Sequence, residues 1–141
     1  MNRIELSGTL EIELSEPSIK VDGLYNETSS PTAKIESIKL IQEKYDNDLG
    51  EFRKYTDEEL NSIAFNSSEI TLQSVLQGDM EKVTHKAPNG YFTVGQLLDA
   101  ILETEKQSRP KSDWFGGIDT SHIYLEGLSM EGDVFKIWWG S

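Results

Sequence analysis

Cysteine is absent from the 141 residues of this chain. That excludes disulfide staples, thiolate metal sites and cysteine nucleophiles, and it fits a reducing compartment, so a cytoplasmic location is expected. Histidine is nearly as scarce. His85 and His122 stand far apart with no His-Glu-x-x-His spacing, so neither a metal site nor a cofactor is expected. Positive charge is the third shortage: 13 Lys and Arg face 25 Asp and Glu, a formal charge of −12. Such a chain repels nucleic-acid backbones and anionic membranes, and its natural partner is a basic protein. No apolar run approaches the roughly 20 residues that span a bilayer. The alternating N-terminus lacks the apolar core of a signal peptide. Gly116-Gly117 is the only glycine pair, and no phosphate-cradling loop surrounds it.

What remains is enough to fold. Hydrophobic residues make up 36% and aromatics 9%, which suits one domain over residues 1–141. RIELSGTLEIEL puts Ile4, Leu6, Leu10, Ile12 and Leu14 on one face at period two, a half-buried strand in which Gly8 marks a bulge. SIKVDGLY reads as an antiparallel second strand and residues 26–31 as a loop. Residues 33–45 fit either a helix or a strand. Their isoleucine content, and the turn-like DNDLGE before FRKY, tilt the reading to strand, turn, strand.

Two helices follow. Thr56 and Glu59 have the spacing of a capping box, starting a short helix near 57–65 that Leu60, Ile63 and Phe65 would dock. SEITLQSVLQ is an apolar element of open type, and residues 78–91 read mostly as connection, with a turn at Pro88-Asn89-Gly90. Thr93 and Gln96 form a second box. It opens a helix over roughly 94–108, with Leu97, Leu98, Ile101 and Leu102 as its apolar stripe. Glu103, Glu105 and Lys106 are expected off that stripe, Lys106 and Arg109 at the negative helix end, and Pro110 as the stop. HIYLEGL and VFKIWW around SMEGD read as a C-terminal hairpin. The fold class is α+β: a mainly antiparallel sheet, two helices and a C-terminal β-hairpin.

Four constellations carry candidate chemistry. Asp113, Asp119, His122 and Glu126 cluster in sequence. On a strand His122 and Glu126 lie roughly 13 Å apart, too far to share a proton. Asp119 and His122 can meet across the glycine bend, either as an acid–base pair or as a hydrogen-bonded corner. No nucleophile elbow surrounds Ser121. Asp46, Asn47 and Asp48 resemble the start of a calcium loop, but Glu51 occupies the position that needs glycine and Asp57 the position that needs glutamate. Trp114 and Phe115 are expected to clamp the corner between helix and hairpin, and Trp138 and Trp139 to point to opposite faces of the last strand.

The fourth constellation is an interface. Glu43, Asp46, Asp48, Glu51, Asp57, Glu58 and Glu59 crowd one stretch, with Tyr45, Phe52 and Tyr55 between them and only Lys44, Arg53 and Lys54 opposed. Charge steers association and aromatics anchor it. In composition the chain resembles small acidic inhibitors such as the immunity proteins that neutralise bacterial nuclease toxins. The expectation is a protein-binding module rather than an enzyme: an inhibitor or immunity-type protein that engages a basic partner. Its surface is Glu43, Tyr45, Asp46, Asp48, Glu51, Phe52, Asp57, Glu58 and Glu59, with Asp113, Trp114, Asp119, His122 and Trp138 as a second candidate patch. Two alternatives stay open: a small enzyme centred on Asp119 and His122, and a structural subunit or homodimer.

Overall fold

Period-two alternation of apolar side chains writes most of this molecule, and the strands it writes form one curled sheet around a helix. The computed structural model describes residues 2–15, 34–76, 78–113 and 117–141. Eleven strands and two helices lie among them: β1 Arg3–Ile4, β2 Gly8–Leu14, β3 Ile35–Ile41, β4 Glu43–Asp46, β5 Glu51–Lys54, α1 Asp57–Asn61, β6 Ile63–Phe65, β7 Glu69–Val75, β8 Asp79–Lys86, β9 Phe92–Thr93, α2 Val94–Ser108, β10 Tyr124–Glu131 and β11 Val134–Gly140. The sheet runs β3-β2-β10-β11-β7-β8, with β1 also on β10; β4-β5 and β6-β9 are separate two-stranded ribbons.

The sheet is mainly antiparallel, as expected, and becomes mixed through one parallel pair. β11 pairs with β7 in parallel, Phe135 opposite Leu72 and Ile137 opposite Ser74. The chain between them is long enough for the crossover that a parallel pair requires, and it contains β8 and α2. α2 rests on β7, β8 and β3, so it meets both edge strands of the sheet. Leu97, Leu98 and Ile101 are fully buried there with Leu10, Leu72, Leu128 and Ile137. Each such side chain contributes on the order of 1.5–3 kcal/mol relative to exposure.

Both capping boxes are present, on Thr56 with Glu59 and on Thr93 with Gln96. The first helix is shorter than its pattern. It ends at Asn61, where Ser62 turns its hydroxyl and N–H back to the Glu59 carbonyl, and the chain continues as β6. Ile63 is therefore exposed rather than docked, whereas Phe65 packs edge-on against Phe135. Residues 79–86 form a strand where a connection was expected. As an edge strand β8 half-buries only Met80, Val83 and His85, too few for an apolar run. Within residues 34–45 the chain forms strands β3 and β4, and the turn after Asp46 closes the β4-β5 hairpin.

The N-terminal strand is broken at residues 5–7, and Leu14 drifts out to 36% exposure. Gly8 serves close packing, not a bulge: a Cβ there would stand 2.7 Å from the Ile41 carbonyl oxygen. β2 shifts register against β3 only between Glu13 and Leu14, and a bulge lies on β10, where Glu126 is the extra residue between Leu125 and Gly127. Residues 18–25 and 26–31, and the pair Trp114-Phe115, lie outside the described residues. Among the described residues no helix is long and apolar enough to cross a membrane.

Candidate binding surface at the β4-β5 hairpin

The hairpin is built by its own carboxylates. Asp46 ends β4, and its Oδ1 accepts the N–H groups of Asp48 and Leu49 at 2.9 and 3.1 Å, which folds the turn. Gly50, at φ 71°, completes it by donating to the Asp46 carbonyl. Arg53 then braces the ribbon. Its Nε donates to Asp46 at 2.8 Å, and Nη1 and Nη2 donate to the two oxygens of Glu59 at 2.7 and 3.0 Å. Lys44 adds a contact to Glu59 at 3.1 Å.

These contacts explain the local proton affinities. The Arg53 fork is the main reason the Glu59 carboxyl sits far below the usual carboxylate range, helped by the Thr56 N–H and Lys44. Arg53, followed by the turn N–H groups, holds Asp46 below it too. The base of the hairpin is pinned by Tyr55, whose hydroxyl accepts from the Ser7 N–H at 3.1 Å, and by Ser7, whose hydroxyl donates to the Glu43 carbonyl at 2.7 Å.

Bracing leaves a defined surface. Tyr45 and Phe52 are cross-strand partners with rings 5.4 Å apart, edge to face. They are 49% and 61% exposed, and Leu49 at the tip is 62% exposed. Among the described residues most large apolar side chains are covered, and three of the most exposed share this one ribbon. Around them Asp48, Glu51, Asp57 and Glu58 are exposed and make no ion pair among the described residues. Asp46 and Glu59 are part of the scaffold: each is engaged by Arg53. Glu43 is half-buried on β4.

A groove of about 430 Å³ runs beside the hairpin. Its lining combines apolar Leu6, Leu125 and Val94, aromatic Tyr45, Phe52 and Tyr55, and charged Glu5, Glu126, Glu59 and Lys44. It opens where the break at residues 5–7 meets the β10 bulge. Lys44 Nζ stands 6.0 Å from the centre of the Tyr55 ring.

The second candidate patch divides. Asp119 and His122 do meet: His122 Nδ1 is 2.7 Å from Asp119 Oδ2. Burial pushes the Asp119 carboxyl up. The N–H groups of His122 and Ser121, the His122 ring and Arg109 outweigh that and hold it below its ordinary value. An ionised carboxylate only accepts, so Nδ1 carries the proton. Asp119 is fully buried and therefore belongs to the interior. Arg109 organises the corner, and it too is fully buried. Its Nε donates to Glu105 at 2.8 Å, and Nη1 donates to the carbonyls of Asp119 and His122 at 3.1 and 2.7 Å. Its guanidinium lies 5.3 Å from the Trp139 ring. Nη2 is 2.7 Å from the same Glu105 oxygen, off the line of a hydrogen bond.

The sequence reading placed Glu105 off the helix stripe and Arg109 at the negative helix end, without burial for either. The structure buries both: Glu105 and Arg109 pair across one helical turn, and Arg109 also holds the carbonyls of Asp119 and His122. The i,i+4 acid–base spacing was the available signal. Trp138 is 37% exposed and Trp139 6% exposed, on opposite faces as anticipated, so Trp138 is separated from the corner that Trp139 underlies. Asp113 is exposed. Among the described residues no three His, Asp or Glu side chains are grouped to hold a metal ion. The chain matches no protein-family model, no curated protein and no solved structure.

Proposed function

We propose that this chain is a protein-binding module that engages a basic protein, acting as an inhibitor or immunity-type partner through the β4-β5 hairpin. One observation carries the reading: Tyr45, Leu49 and Phe52 stand exposed on a ribbon that Arg53 and Glu59 hold rigid, ringed by carboxylates that nothing described neutralises. Rigid aromatics lose little entropy on docking, and a ring of like charge steers a cationic surface toward them. The chain as a whole carries −12, which extends that attraction beyond contact range.

The test is capture with matched variants. Immobilised wild-type chain, Tyr45→Ala/Phe52→Ala and the control Glu11→Gln are exposed to host lysate, and the retained protein is identified and remade. The reading expects one basic protein, kept by wild type and control and bound at least about 30-fold more weakly by the double variant, as removal of two anchors implies. A retained protein that is acidic, or that binds the double variant equally well, contradicts it.

The Asp119–His122 hydrogen bond favours a second reading, acid–base catalysis at that corner. Against it, Asp119 is spent on two backbone N–H groups and the ring, and the hairpin groove contains neither residue.

A further inference from the structure

The groove beside the hairpin has the chemistry of a socket for a flat cation, and one carboxylate in it is idle. Glu5 is bonded to Arg3 and Glu59 to Arg53 and Lys44. Glu126 lines the same groove and makes no ion pair among the described residues. It is the extra residue of the β10 bulge, so its side chain is released from the regular alternation of the strand. The carboxylate lies over Gly140, where an added Cβ would fall 2.8 Å from Glu126 Oε2. Arg3 fixes the bulge by donating from Nη2 to the Glu126 carbonyl at 3.1 Å.

The same groove is lined by aromatic rings, one of which already holds a cation. Lys44 lies over the Tyr55 face, so the ring environment accepts positive charge in the fold itself. Tyr45 and Phe52 complete that lining with their edge-to-face pair. Leu6, Leu125 and Val94 add apolar lining to the same groove, and an ionic contact beside apolar surface is stronger than one in open water.

We propose that this groove receives the guanidinium of an arginine side chain presented by the basic partner, with Glu126 as its carboxylate and Tyr45 and Phe52 as its stacking wall. The inference rests on the binding reading above and deepens it. A guanidinium suits the space better than an ammonium. It is planar, pairs with a carboxylate through two N–H groups and stacks on aromatic faces. A residue with these properties also anchors interfaces more often than lysine does.

The experiment needs no partner. Acetyl-arginine methylamide is titrated into the labelled full chain, followed by backbone amide shifts, with the neutral citrulline analogue in parallel. Saturable shifts at Leu6, Ser7, Leu125 and Glu126, of about millimolar affinity, are expected with arginine and not with citrulline. Glu126→Gln should weaken binding about tenfold, while Glu11→Gln, an equal charge change on an exposed β2 position, leaves it unchanged. Unmoved groove amides, equal shifts with citrulline, or equal loss in Glu11→Gln would each overturn the proposal. A silent groove alongside partner capture that depends on Tyr45 and Phe52 removes the socket and keeps the binding reading. Arginine in the groove with hairpin-independent capture does the reverse.

Discussion

The hairpin and the Arg109 corner use the same chemistry for opposite ends. In each, one arginine gathers carboxylates and backbone carbonyls. Arg53 does so in the open, tying Asp46 to Glu59 with both partners still 20–30% accessible in their side chains. Arg109 does so with no exposure at all, between Glu105, the 119–122 loop and the Trp139 ring. Solvent screens the first network, so it contributes shape more than stability. Nothing screens the second, so breaking it strands a charge in the core. A ribbon braced through Arg53 rather than through Tyr45 and Phe52 is free to display those two rings.

Substitution of the buried arginine should separate the two regions most. Arg109→Met is expected to lose about 3–5 kcal/mol in urea unfolding, because Glu105 is left buried without its cation. Adding Glu105→Leu should recover part of it. Equal stability of Arg109→Met and wild type would dissolve the contrast. Next in size is Gly127→Ala. That glycine sits at φ 122° with the Ile4 carbonyl 2.9 Å from any added Cβ, so about 1–3 kcal/mol should go, and the Glu126 bulge with it.

Two pH effects are smaller and opposite in residue type but share a sign. The folded Asp119 carboxyl is held below its ordinary value, so its stabilisation is full above pH about 4 and is lost as pH falls further, since the unfolded chain takes up the proton first. Asp119→Asn should flatten that acid limb. Burial depresses His85 despite nearby Glu103. Its Nε2 lies 2.7 Å from the Thr104 hydroxyl, which itself donates to the Ala100 carbonyl. Stability should therefore fall as pH drops through about 6.5, and His85→Gln should remove that slope. Last, Tyr45→Ala/Phe52→Ala should unfold within about 0.5 kcal/mol of wild type; a larger loss would mean the rings belong to the fold.

The elements with local signatures were legible. Helix α2 begins at its capping box and ends before Pro110, and the C-terminal hairpin turns at Gly132 (φ 65°). The β4-β5 hairpin announced itself by Asp46 and Gly50. What stayed hidden depended on neighbours. β8 is a strand only because β7 offers it a ladder. The burial of Glu105 follows from a loop arriving beneath the helix. The surface was legible as composition, since acids and aromatics interleave between 43 and 59. Which acids serve the scaffold was not, because Arg53 chooses Asp46 and Glu59 through the shape of the turn. Glu126 was seen only beside Asp119 and His122 in sequence, since its place as the extra residue of a bulge depends on pairing with β11.

The central claim, that this hairpin is an electrostatically steered docking surface, is tested most directly by the association rate of the captured partner as salt is raised. The account predicts a rate that falls at least about tenfold between roughly 20 and 200 mM salt. It also predicts a complex of the Tyr45→Ala/Phe52→Ala chain that forms at a similar rate and dissociates much faster. A rate indifferent to salt, or a dissociation rate indifferent to those two rings, would contradict it.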